Sequence, residues 1–136
     1  VGQHRVDRFY PVASILDTGG MIVIGSDWSV DEMNPFLAIE VAITRQDPYS
    51  DQGPAFNESE RIDLESALQA YTINAAYAMG LEEELGSVEV GKLADLIVLD
   101  RNLFDIPAYQ ISDTKVQLTM FNGDVVYEGS PSVNGP

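Results

Sequence analysis

Residues 21–28 read M-I-V-I-G-S-D-W. An apolar run ends on two small residues, Gly25 and Ser26, then on an acid, Asp27, backed by Trp28. A run of this kind suits a strand buried on both faces, as in a parallel sheet covered by helices. Just upstream, residues 10–18 place Val12, Ile15 and Leu16 at helical spacing. Pro11 suits the first turn of that helix, and Gly19-Gly20 suits its end. The order is therefore helix, tight glycine turn, buried strand, which is half of an α/β unit. A parallel strand needs parallel neighbours, and no segment ahead of it supplies one. The neighbours are expected in a longer chain, which the absence of an initiator Met before Val1 also suggests.

Residues 29–60 read as a long irregular stretch holding Pro35, Pro48 and Pro54. One apolar patch within it, F-L-A-I-E-V-A-I (36–43), fits a short helix. Loops this long inside a domain are usually functional or disordered. Residues 63–80 read as a single helix. Asp63 suits the N-cap, Glu65 suits the positive end of the dipole, and Gly80 suits the stop. Leu64, Ala67, Leu68, Tyr71, Ala75, Ala78 and Met79 form one stripe on it. From residue 85 the pattern shortens. Residues 86–92 and 115–121 alternate, and 94–100 is an apolar run between acids. Asn122-Gly123 is a strong hairpin signal before D-V-V-Y-E (124–128). Residues 130–136 are expected to be a disordered tail.

Acids outnumber bases 22 to 7, a formal charge of -15. Such a surface repels phosphate backbones and anionic lipid, so neither nucleic acid nor membrane is an expected partner. No cysteine is present, which removes disulfides, thiolate metal sites and cysteine nucleophiles. The N-terminus resembles neither a signal nor a transit peptide. The compartment stays open, with the cytoplasm favoured.

Ligands of parallel sheets and barrels sit at the carboxyl ends of the strands. Asp27 stands at such an end, where one oxygen can bind a divalent metal and the other can take a proton from water. The plainer alternative is an Asp that caps the next turn. Arg45 can hold a substrate carboxylate through paired hydrogen bonds, or can form an ion pair with Asp47 or Glu40. Trp28 can wall a pocket or simply pack. Residues 86–92 match G-x-x-x-x-G-K, yet Leu93 stands where a phosphate loop needs Ser or Thr, and a strand follows. His4, the lone histidine, reads as a solvated surface residue.

Taken in order, Y-P-V-A-S-I-L-D-T-G-G, G-S-D-W, N-P-F-L-A-I, A-I-T-R, A-L-Q-A-Y-T-I-N-A-A-Y-A-M-G, G-S-V-E-V-G-K-L-A-D-L-I-V-L-D and N-G-D-V-V-Y-E form a recognisable series. The chain resembles the C-terminal portion of metal-dependent amidohydrolases, in the amidohydrolase family 3 branch that includes N-substituted formamide deformylases. The resemblance implies an α/β fold: the last strand and flanking helices of a (β/α)8 TIM-type barrel, then antiparallel strands of a companion β-sandwich. It implies that residues 1–84 belong to the barrel and 85–129 to the sandwich. It implies that Asp27 is both metal ligand and proton shuttle. The implied cofactor is a divalent metal, with zinc favoured, held by the full-length enzyme and not by this chain alone. The implied substrate is a small amide or N-acyl compound, with Trp28 and Arg45 as candidate contacts. One departure is Ser29, where the family usually has Pro. The alternative is an inactive short protein that associates with itself or a partner through exposed apolar faces. Homo-oligomers are expected on either reading.

Overall fold

The computed structural model describes residues 2–50 and 53–129. The expected tail at 130–136 lies outside the described residues. Among these residues five short α-helices come first: α1 (Gln3–Val6), α2 (Val12–Asp17), α3 (Pro35–Thr44), α4 (Leu64–Tyr71) and α5 (Ile73–Met79). Three strands follow, β1 (Leu96–Leu99), β2 (Val116–Phe121) and β3 (Asp124–Glu128). 3-10 turns occupy Glu58–Glu60, Leu103–Asp105 and Ala108–Asp113.

The strands form one antiparallel sheet in the order β1-β2-β3. Asn122 (φ 50°) and Gly123 (φ 85°) both adopt positive φ, as the tight hairpin between β2 and β3 requires. Residues 86–92 were expected to be extended by their alternation, and they form turns instead. Lys92 explains this. Its ammonium donates to Glu82 O (2.5 Å), Leu85 O (3.3 Å) and Ser87 Oγ (2.6 Å), which folds the segment around the cation.

The stretch 29–60 is not a loop throughout. Its apolar patch is α3, the most buried helix, with Ile39 at 2 % exposure and Phe36 and Glu40 also buried. Asn34 caps it by accepting from the Phe36 N–H at 3.1 Å, and Pro35 occupies the first turn. Phe36 and Ile39 share one core with Ile62, Ala67, Leu103 and Ile111. That core draws on both sides of residue 85. Glu40 reinforces the join by accepting from the Ser112 N–H at 2.8 Å.

The helix expected over 63–80 is interrupted. Asp63 caps it as expected, accepting from the Ser66 N–H at 2.7 Å, and Gly80 ends it at φ 71°. Between them Thr72 departs from helical geometry (φ -118°, ψ -95°), dividing α4 from α5. Thr72 Oγ1 turns back to Leu68 O at 2.7 Å, a bond that competes with the helical ladder. Gly86 fills the break. A Cβ there would stand 2.8 Å from both Ile73 Cα and Ala76 Cβ.

Residues 21–25 also depart from expectation. They run without strand pairing among the described residues. Ile22 and Ile24 pack against the core, while Met21 and Val23 remain 51 % and 49 % exposed. The alternation is that of a strand. The hydrogen-bonding neighbours that would make it one are not among the described residues.

Candidate functional site

Two contacts fix the segment leading to Asp27. Asn74 Nδ2 donates to Ile22 O at 3.0 Å, and the Ile24 N–H donates to Ala70 O at 3.3 Å. The chain then turns at Asp27, which adopts φ 49°. Few residues other than glycine accept this left-handed geometry, and Asp and Asn are enriched among them. The turn closes through Asp27 O, which accepts from the Val30 N–H at 2.7 Å. It is the backbone carbonyl that caps this turn. The carboxylate, on an exposed residue, is left for other use.

Beside the turn lies a cleft of about 650 Å³. Gly25 and Ser26 form one wall, Leu37 and Val41 of α3 another, and Tyr49 and Phe56 stand across from them. Its size falls in the range of small-molecule sites, roughly 300–1,000 Å³. Asp27 and Trp28 do not line it, and Trp28 is 67 % exposed.

Arg45 does line the cleft, and is only 9 % exposed. It ends α3 in the left-handed region (φ 57°). Its Nε donates to Phe56 O at 3.0 Å and an Nη donates to Phe9 O at 3.4 Å, with Cζ 5.9 Å from the centre of the Phe56 ring. The expected ion pair with Asp47 or Glu40 is not what holds it. Backbone carbonyls from two distant segments do. A guanidinium so fixed can present its remaining N–H groups in a defined direction.

Two further groups near the cleft have shifted acidities. Tyr49 donates to Glu32 Oε1 at 2.5 Å, and this bond to a carboxylate pushes the phenol up to about 12. Glu60 accepts from Ser14 Oγ and Ser14 N, and these bonds, the hydroxyl first, hold its carboxyl below the usual range.

Among the described residues, no three His, Cys, Asp or Glu side chains gather where they could hold a metal. Asp27 therefore fits the part of one donor and not of a whole site. His4 is exposed. Lys92, turned in on its own loop, does not present a phosphate-binding ammonium. No helix among the described residues is long and apolar enough to cross a membrane.

Asn74 was not singled out from the sequence. A signal for it exists: Asn is a poor residue inside a helix, because its amide competes for backbone partners. Glu60 and Glu40 gave no signal, since their partners lie 46 and 72 residues away.

Comparison with known proteins agrees with this geometry. Residues 1–127 match the family described as the amidohydrolase family. The chain is 37 % identical over 125 residues to Protein LONG AFTER FAR-RED 3 of Arabidopsis thaliana, covering 92 % of this chain and 21 % of that one. It is 33 % identical over 125 residues to N-substituted formamide deformylase of Arthrobacter pascens, covering 92 % and 22 %. The chain thus spans about a fifth of the length of these relatives. In structure it is similar to an amidohydrolase from Thermotoga maritima MSB8, with a TM-score of 0.65 and 24 % identity, covering 87 % of this chain and 26 % of that one. A match over nearly the whole sequence settles the family: this chain belongs to the amidohydrolases.

Proposed function

We propose that this chain is the C-terminal part of a metal-dependent hydrolase that cleaves C–N bonds in small amides or N-acyl compounds. The observation that carries this reading is the exposed Asp27 carboxylate, at the end of an extended apolar segment and beside a cleft of ligand size. Family membership and a relative named as a formamide deformylase support it. On this reading residues 21–27 are the last strand of a (β/α)8 barrel, residues 1–84 belong to that barrel, and 85–129 belong to a companion β-sandwich.

Asp27 then contributes one ligand to a divalent metal, zinc on the resemblance, and the other ligands come from residues beyond these. When bound, such a metal would lower the pKa of its water to about 7. Asp27 holds the attacking water through one carboxylate oxygen and accepts its proton as the oxygen adds to the amide carbon. It returns that proton to the nitrogen as the C–N bond breaks, so one group serves as base and then as acid. Gly25 and Ser26 are small enough to admit a ligand close to the backbone. Trp28 and Arg45 are the proposed substrate contacts, Arg45 from the cleft wall and Trp28 from the exposed turn beside it.

The test uses the full-length protein that carries this segment. Turnover of a panel of N-substituted amides, with Asp27→Asn inactive on every member, supports the assignment. Hydrolysis that survives Asp27→Asn removes it.

A second reading has its own observation. Ile97, Val98, Phe121, Val125, Val126 and Tyr127 are exposed on the sheet. Apolar surface of this kind supports association, either between copies or with other parts of a longer chain. The alternative of an inactive binding protein rests on that surface and is separated from the enzyme by the same activity panel.

A further inference from the structure

We propose that Asn74 is a positioning residue for Asp27, and that the break between α4 and α5 tethers residues 22–24 through two backbone groups on one edge. The proposal rests on the role given to Asp27 above.

In an extended chain, alternate residues direct their backbone groups to the same edge. Ile22 and Ile24 therefore present theirs together, and both are taken by the helices. Ile22 O accepts from Asn74 Nδ2, and the Ile24 N–H donates to Ala70 O. In an uninterrupted helix Ala70 O would pair with the Asn74 N–H four residues on. The departure at Thr72 breaks that ladder and turns Ala70 O toward the segment. The same departure re-aims the helix that carries Asn74. One interruption thus supplies both a donor and an acceptor to the same edge.

The arrangement is braced from behind. Gly86 sits against Thr72 O, Ile73 Cα and Ala76 Cβ, closer than any residue with a Cβ could. Lys92 holds the loop that carries Gly86. The break is therefore a built feature of the packing. Its two contacts lie three and five residues before Asp27, so they set the direction in which the left-handed turn delivers the carboxylate. Misplacing a reacting group by about 1 Å can cost about 10²-fold in rate.

The experiment compares Asn74→Ala, Asn74→Asp, Leu64→Ala and Asp27→Asn in the full-length protein. Asn74→Asp keeps the size but removes the donor. Leu64→Ala weakens α4, the helix before the break, through the core and touches neither of the two contacts. Three readouts are taken: kcat and KM separately, melting temperature, and amide hydrogen exchange of the peptide spanning 20–28. Both Asn74 variants are expected to lower kcat by about 10- to 100-fold, with KM changed less than about threefold. Both are expected to speed exchange at 22–24, while Leu64→Ala lowers the melting temperature and leaves kcat and that exchange unchanged. Retention of kcat in the Asn74 variants, or an equal loss in Leu64→Ala, overturns the proposal. If Asp27→Asn itself remains active, the role of Asp27 fails separately. The exchange data then still decide the tether: unchanged exchange at 22–24 in both Asn74 variants overturns it.

Discussion

Glu60 grips Ser14 twice across 46 residues of sequence, accepting from its hydroxyl at 2.5 Å and from its backbone N–H at 2.9 Å. Ser14 lies in the first turn of α2, where N–H groups lack helical partners, so a carboxylate from elsewhere serves as the cap. The bonds favour the ionised form and hold the acid below its usual value of 4.5. The sign follows. A depressed folded-state value means that the contribution to stability is present above the unfolded-state value and is lost as pH falls through the folded one. Denaturation midpoints followed downward from neutral pH should fall below about pH 4.5 for the natural chain. Glu60→Gln should start lower and narrow the gap as pH drops. A constant gap at every pH would show that the charge is not what matters.

Asp27→Asn is the sharper probe of the turn at the site. Asn accepts the left-handed region nearly as readily as Asp, so the backbone at φ 49° is kept while the proton acceptor is lost. Full-length Asp27→Asn should melt within about 1 °C of the natural protein and lose turnover. Activity within about tenfold of the natural protein would count against Asp27 as proton carrier.

Gly86→Ala tests the packing behind the helix break. Its Cβ would enter at 2.8 Å from two carbons, one of them backbone, and at φ 87°. Overpacking and the left-handed strain together should cost about 2–4 kcal/mol in urea unfolding. A loss under about 0.5 kcal/mol would mean that the 81–93 loop moves away freely.

Phe36→Ala tests whether α3 is the centre of the core. Phe36 is buried among Ile39, Ile62 and Leu103. Removing a buried ring costs about 3–5 kcal/mol. An unchanged unfolding curve would place the ring at the surface.

Tyr49 offers a spectroscopic check on the cleft. Its phenol, bound to Glu32, should ionise near 12, and ordinary tyrosines ionise near 10. Because the folded-state value is raised, the stabilisation is full below about pH 10 and fades as pH climbs through the higher value. Burial raises Tyr71 as well, so ultraviolet titration should show more than one late phenol, of which Tyr49→Phe removes the one near 12. Its persistence in Tyr49→Phe would reassign it.

Local signals in the sequence were read well where the chain satisfies itself locally. Asn122-Gly123 makes its hairpin, Asp63 caps α4, Gly80 ends α5 and α2 falls where residues 10–18 place it, because each depends on residues within a turn. Signals failed where the partner is remote. Residues 21–25 have the composition of a strand, but composition cannot supply the neighbours that define one. Residues 86–92 alternate like a strand, yet Lys92 turns back onto the Glu82 and Leu85 carbonyls and the Ser87 hydroxyl and folds them into a loop. The α4–α5 break needed Gly86 to come from fourteen residues beyond Thr72, which no window on the helix contains. The turn at Asp27 was legible as the end of the apolar run. The cleft was not, because its walls come from segments spread between residues 10 and 56.

The sheet also bears on how the molecule behaves in crowded solution. Ile97, Val98, Val125 and Tyr127 face outward on a chain of formal charge -15. In dilute buffer, mutual repulsion reaches about 30 Å at 0.01 M salt and keeps such faces apart. At physiological ionic strength it reaches only about 8 Å, well inside the distance at which two sheets begin to meet. Clarity in low-salt storage should therefore give way to association as salt is added, and light scattering across that range checks it.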